Sequence, residues 1–328
     1  GLVYRLKDDV EEISNIRLGY TGRFVDDSFK ATEYNLTVEH ASDFPSLDGF
    51  LLDDYYNRDN LSSGWFKIQK HVDKYTVTKN IHSAYAEATY QFTSRWIVNL
   101  GLKYDYVDIN VDYNVNRGGS EGSNTIRKDY FLPSLNLKYK LNEKHSLRLG
   151  ASKTYTLPQA KEISPYRYVG VNFNSQGNPN LKPSDNYNFD LKWDFNPSPT
   201  ELVSLTAFYK HIKDPISRIE VASAGGYLSY ENISDRAIVA GVEVEIRKNL
   251  FVRPLSSAAN GMNKLSFGLN GSYIYTNAKM PLATVTTGSQ LEGAAPWIAN
   301  FDLSHHFTRD ERSFVNTLVL NYVSDKIY

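Results

Sequence analysis

Cysteine is absent from all 328 residues, and methionine occurs only twice. Without thiols the chain has neither a disulfide scaffold nor thiolate chemistry, which suits passage through an oxidising periplasm. Long apolar runs are missing too. No window approaches the roughly eighteen consecutive apolar residues that a membrane-crossing helix needs. Charge of one sign is also missing: 36 Lys and Arg stand against 37 Asp and Glu, for a net charge of −1. Nothing therefore pulls the chain toward nucleic acid or anionic lipid. Metalloprotease, Walker and nucleophile-elbow motifs do not occur. The opening Gly1-Leu-Val-Tyr-Arg-Leu-Lys-Asp-Asp9 has no basic region followed by an apolar one. The expectation for an exported chain is that a leader has been removed or that this sequence starts internally.

What the chain does have is alternation. In residues 237–247, Ile238, Ala240, Val242, Val244 and Ile246 share one parity, and Gly241, Glu243, Glu245 and Arg247 share the other. Such a strand has one face fit for hydrocarbon and one for water. The pattern recurs in about twelve segments. The first two, residues 16–25 and 29–39, are the least regular. In residues 80–92, Ala84, Ala86, Ala88, Tyr90 and Phe92 share a face, and Trp96, Val98, Leu100, Leu102 and Tyr104 continue it after a turn. The apolar parity then switches to Val107, Ile109 and Val111, as at a bulge or where a strand has left the membrane. Residues 131–139, 146–152, 186–195, 203–209, 265–275, 297–307 and 314–323 complete the set.

The connections alternate between short and long. Tight turns are expected near Asp26, Ser94, Asn142, Ser198 and Asp310, with a longer one over residues 250–263. The long links are residues 41–79, 112–129, 157–184, 214–226 and 277–293. Short periplasmic turns and long outer loops mark a bacterial transmembrane barrel. A β-sandwich has strands of about five or six residues, and a propeller or solenoid has a fixed sequence period that is not apparent here. The aromatic residues, 24 Tyr, 16 Phe and 4 Trp, suit a membrane interface. The fold class expected is all-β, an antiparallel transmembrane β-barrel.

Three segments then carry a family resemblance. Asn178-Pro-Asn-Leu-Lys-Pro183 resembles the N-P-x-L-x-P element of TonB-dependent outer-membrane receptors. Tyr230-Glu-Asn-Ile-Ser-Asp-Arg-Ala-Ile-Val-Ala-Gly-Val-Glu-Val-Glu245 resembles their asparagine followed by a G-x-E-x-E strand. The hairpin from Tyr85 to Asp105 is similar to their Y-x-Q and W-x-x-x-x-G-x-R-Y-D pair, of a type resembling receptors of Bacteroidota. The resemblance implies a plugged barrel of about 22 strands. Residues 1–328 would then be a barrel segment, with the plug domain and terminal strands lying elsewhere. It further implies an outer-membrane location in lipid, a small nutrient ligand (siderophore, glycan, peptide or vitamin), coupling to the TonB complex through the plug, and a surface lipoprotein as a candidate partner. No cofactor, metal, nucleic acid or enzymatic activity is expected. The alternative is a passive porin-like channel, or a non-transporting barrel that serves as adhesin or assembly platform.

Ligand-capture candidates lie on the long links: Trp65 and Phe66 in the first, and Tyr166, Tyr168, Asn172, Asn174 and Gln176 before residues 186–195. Aromatic faces beside amides suit many small ligands. Lumen- or plug-facing candidates are Asn186, Asn188, Asp190, Lys192, Glu243, Glu245 and Arg247. Gly241 among them leaves room for something packed close to the wall. Adjacent His305 and His306 point to opposite faces of a strand and so cannot chelate one metal. The acidic residues Asp48, Asp53, Asp54 and Asp59 lack calcium-loop spacing. Glu243 and Glu245 have no accompanying acid–base machinery.

Overall fold

A computed structural model of the chain describes residues 1–6, 14–38, 57–115, 120–170, 173–221, 226–255, 261–278 and 290–326. The strands are β1 (Leu2–Arg5), β2 (Asn15–Val38), β3 (Phe66–Gln91), β4 (Trp96–Val115), β5 (Ser120–Lys140) and β6 (His145–Thr156). They continue as β7 (Arg167–Val169), β8 (Asn174–Gln176), β9 (Ser184–Phe195), β10 (Leu202–Lys213), β11 (Ile216–Val221) and β12 (Tyr227–Asn232). The last are β13 (Arg236–Leu255), β14 (Gly261–Ala278), β15 (Trp297–Arg309) and β16 (Arg312–Val323). Among the described residues two short helices interrupt them, α1 (Arg58–Ser62) and α2 (Ala160–Ile163).

Among the described residues twelve strands form one sheet in chain order, from β1 to β6, then β9, β10 and β13 to β16. Each neighbouring pair whose two strands follow one another in this sheet is antiparallel, for example Ala86 opposite Leu102 and Ala207 opposite Val242. Register carries one apolar face across the whole wall: Leu18, Ala86, Leu102, Pro133, then Leu149, Leu191, Ala207, Val242 and Tyr273 share it. Many of these side chains are solvent-accessible in the isolated chain, Leu102 at 51% and Leu191 at 53%, as lipid-facing residues should be.

Aromatic pairs border this face at two levels. At the tight-turn end Trp96 stacks on Tyr139 at 4.3 Å, and His145 stacks on Phe195 at 4.4 Å. At the other level Tyr104 meets Phe131 at 5.2 Å, and Tyr273 meets Trp297 at 4.6 Å. Trp96 and Tyr104 are about 27 Å apart along the strand, or about 20 Å after a tilt of about 40°. That is comparable to the apolar band of an outer-membrane barrel.

Two expectations need correction. Residues 16–25 and 29–39 are not two strands with a turn near Asp26. β2 is one strand of 24 residues, and Asp26, Asp27 and Ser28 pair with Thr78, Val77 and Thr76 of β3. A continuous partner strand overrides the turn preference of two adjacent aspartates. Nor is there a bulge after Asp105. The β3–β4 register runs unbroken from Lys74–Asn114 to Gln91–Ile97, so Val107, Ile109 and Val111 lie on the same inner face as Asn99 and Lys103. The chemistry of that face changes while its geometry does not.

The second expectation for that switch, a strand leaving the membrane, fits the strand lengths. β2 to β5 run 24, 26, 20 and 21 residues, about twice or more the nine to eleven that cross a bilayer. Residues 66–79 of the expected link 41–79, and most of the expected link 112–129, are therefore strand. The tight turns near Ser94, Asn142, Ser198 and Asp310 are present, and Asp310 takes a left-handed φ of 56°. The sheet does shift register between Asn249 and Phe251, where the β13–β14 hairpin extends on the tight-turn side.

Candidate functional site

Above the upper aromatic level the inner face of the wall becomes a hydrophobic core. Val107, Ile109 and Val111 of β4 meet Tyr75, Val77 and Ile81 of β3 and Tyr130 of β5. The cover comes from the link after β6, which inserts Ile163 at 0% and Leu181 at 3% exposure. Burying each of these two side chains contributes about 1.5–3 kcal/mol. Asp105 marks the boundary. It is 1% exposed, pairs with Lys103 at 2.9 Å and accepts a 2.7 Å hydrogen bond from Tyr155. Tyr155 lies beyond the last β5–β6 pair, where β6 has left β5, and its ring stacks on Tyr130 at 4.0 Å.

Two outer links build a second sheet on this core, in the order β11-β12-β8-β7. β8 pairs antiparallel with β7 and, through Leu228–Ser175, parallel with β12. Asparagines lock the links together. Asn232 accepts from the Lys182 N–H and donates to the carbonyls of Lys182 and Asp214, each at 2.9 Å. Asn178 donates to the Tyr230 carbonyl at 2.9 Å, and the Asn124 amide donates to the Pro179 carbonyl. Ser184 donates to the Asp214 carbonyl at 2.8 Å. The segments 178–183 and 230–245, far apart in sequence, thus meet in space. Arg218 of β11 further pairs with Glu292 at 2.6 Å.

The expected ligand-capture residues divide by strand parity. Tyr168 points to the wall, where its hydroxyl bonds that of Tyr75 at 2.7 Å and its ring lies 5.6 Å from Phe29. Tyr166 joins the same cluster, 4.8 Å from Phe29 and edge-on to Tyr168 at 4.6 Å. Burial, and then the bond to Tyr75, raise the Tyr168 phenol well above its ordinary range; burial likewise raises Tyr230. Asn174 and Gln176 take the other parity, opposite Val169 and Arg167. Arg167 lies over the Tyr227 ring at 5.2 Å. Arg167, Asn174, Gln176 and Tyr227 therefore form a cationic, aromatic and amide-bearing face turned away from the wall. Trp65 is at the bend after α1, and Phe66 opens β3 opposite Val38, 3% exposed. Asn172 lies outside the described residues.

Arg167 and Tyr227 were not among the residues singled out from sequence. Arg167 was legible, since a residue between two wall-facing tyrosines on a strand must face away. Tyr227 was not, because only the meeting of β12 with β8 brings it there.

Lower on the wall, Asn186, Asn188, Asp190, Lys192, Glu243, Glu245 and Arg247 all share the inner parity. Asn186 donates to Thr156 Oγ1 at 2.9 Å and Asn188 to Thr154 Oγ1 at 3.2 Å. Lys192 lies 3.6 Å from Asp194, and Arg247 pairs with Glu245 at 2.8 Å. Asp190 stands opposite Gly150 across β6. Glu243 is exposed on this face. The close neighbour of Gly241 is the wall itself: an added Cβ would come within 2.5 Å of the Phe208 ring and 2.3 Å of the Tyr273 carbonyl. Among the described residues no group of three or more His, Asp or Glu could hold a metal. His305 is satisfied by Asn263 at 2.9 Å.

Residues 2–326 match the family described as TonB dependent receptor-like, beta-barrel. Among curated proteins, an iron-regulated outer membrane virulence protein of Vibrio cholerae is 26% identical over 59% of this chain and 28% of its own length. A probable TonB-dependent siderophore receptor, PirA, of Acinetobacter baumannii is 29% identical over 48% of this chain and 20% of its own. Among solved structures, the copper transporter OprC superposes with a TM-score of 0.55 at 13% identity, over 96% of this chain and 45% of that one. The siderophore receptor PiuA of Acinetobacter baumannii gives 0.52 at 14% identity, over 94% and 47%. The chain thus spans under half the length of each, and the structural likeness is one of fold.

Proposed function

This chain belongs to the TonB-dependent receptor-like β-barrel family of the bacterial outer membrane, and from that premise we propose that it forms wall and ligand-capture floor of an active nutrient receptor. A small ligand is taken up on the outer side by the loop-built sheet and passed through a lumen filled by a plug domain, whose rearrangement is driven through the TonB complex. Outer-membrane lipid surrounds the wall. A surface lipoprotein is a further candidate partner.

The observation that carries this reading is the face of Arg167, Tyr227, Asn174 and Gln176 held over the lumen side of the wall. Arginine and an aromatic ring favour an anionic, ring-bearing ligand, and the amides fix its orientation. A ferric siderophore has that chemistry, in keeping with the siderophore receptor among the relatives.

Uptake of ferric siderophores by cells carrying the intact receptor tests the proposal. Arg167→Ala and Tyr227→Ala should each weaken binding about tenfold, equal to about 1.4 kcal/mol, and loss of TonB should abolish uptake. Uptake that persists without TonB, together with a large open conductance in planar bilayers, would establish a passive channel instead.

A further inference from the structure

At the tight-turn end of the inner face, register places three cations in one row. Lys138 of β5 stands opposite Arg148 of β6, which stands opposite Lys192 of β9. Like charges directly across strands destabilise a sheet. Asp194 offsets part of this, at 3.3 Å from Arg148 and 3.6 Å from Lys192. The row opens into a cavity of about 680 Å³ bridging the turns after β3, β5 and β9, and Arg95, Lys140 and Lys144 line it with Lys138 and Arg148. The carboxylate on its lining is that of Glu143. Among the described residues, Arg95, Lys138, Lys140 and Lys144 have no ion-pair partner.

We infer that this basin docks an acidic polypeptide segment lodged in the periplasmic mouth of the lumen. Five cations line the cavity, and with Glu143 on its lining and Asp194 paired to Arg148 the excess positive charge calls for an anionic occupant. The wall decides which anion. Lys138 and Arg148 lie on the face opposite Leu137, Leu149 and Trp193, so the sheet separates these two from the bilayer and its headgroups, while Arg95 and Lys144 stand on the adjoining turns. A segment of the plug is inside that barrier. The inference rests on the proposed plugged receptor and specifies one contact of the plug. An electrostatic contact of this kind is held at rest and released without exposing apolar surface.

The test places a photocrosslinking residue at Ser94 or Asn142 of the intact receptor in outer-membrane vesicles, with the crosslinked peptide identified by mass spectrometry. The expected product joins this end to an Asp- or Glu-rich segment of the plug. Its yield should fall about fivefold when salt rises from 0.1 to 1 M and the screening length drops from about 10 to about 3 Å. Combined Arg95→Gln, Lys140→Gln and Lys144→Gln, all on exposed positions, should reduce it similarly, whereas Glu143→Gln should raise it. Crosslinks to phospholipid, to a segment without excess acidic residues, or to nothing overturn the inference. TonB-dependent uptake measured in the same cells separates the two readings. If uptake holds and the crosslink is missing, the basin assignment alone fails.

Discussion

Asn232 does with one side chain what a strand partner does with its backbone. Its amide accepts from and donates to Lys182 while also holding Asp214. Asn232→Ala should cost about 1–3 kcal/mol and raise protease sensitivity of residues 178–183 in the folded receptor. Asn232→Asp keeps the acceptor but sets a carboxylate oxygen against the carbonyls of Lys182 and Asp214, so it should be at least as sensitive as the alanine variant. Equal resistance of all three would mean that the clamp holds nothing. The sequence shows both asparagine-bearing segments, but not that they touch, because a loop-to-loop contact leaves no periodicity. Face assignment, by contrast, is legible residue by residue. Val242→Arg places a charge on the lipid side and should hinder insertion by about 2–4 kcal/mol near mid-bilayer, whereas inward Glu243→Gln should assemble nearly normally. Heat-modifiable gel mobility reads the difference, and equal failure of the two would show that the faces are reversed.

At the scale of elements, alternation is legible wherever one face meets hydrocarbon, as in residues 80–104 and 186–195. Outside that band the rule loses its cause. In β2, Asp26 and Asp27 look like a turn because nothing local reveals β3 beside them. In β4 the parity switch after Asp105 is plain, but its reason is the cover of Ile163 and Leu181 from a distant link. Strand pairing also depends on Gly241 admitting the Phe208 ring. Gly241→Val should lower the assembled fraction despite valine's better strand propensity, while Ala240→Val on the outward face should be tolerated. Tyr168 ties the second sheet to the wall and has a folded pKa raised by burial and by Tyr75. Its contribution is complete below the ordinary tyrosine pKa of about 10 and is lost as pH rises toward the folded value. Loosening of the second sheet above that pH should be shallower in Tyr168→Phe, as read by hydrogen exchange of β7 and β8. An identical profile in both proteins would exclude Tyr168 as the titrating group.

Across the whole molecule, β1 has β2 and β16 has β15 as their sheet neighbours among the described residues. Open edges cannot face hydrocarbon, so in a membrane both edges must be paired, with each other or with other strands. Eleven of the twelve sheet strands are legible in sequence because each crossing repeats one signature, while β2 reads there as two segments and the short β1 does not stand out. The second sheet is not legible, since its strands are only three to six residues long.

The height of the wall has an immunological consequence. From Phe66 to Tyr75, β3 rises about 30 Å along its length past the level where Tyr168 anchors the second sheet. β6, β9 and β10 are only 12 residues each, so this parapet stands on one side. A molecule as broad as an antibody can settle on the rim of β2 to β5 while Arg167 and Tyr227 stay beneath its reach on that side. Antibodies raised against the folded receptor should therefore map to the parapet, and those that bind there should leave capture of a small ligand largely intact.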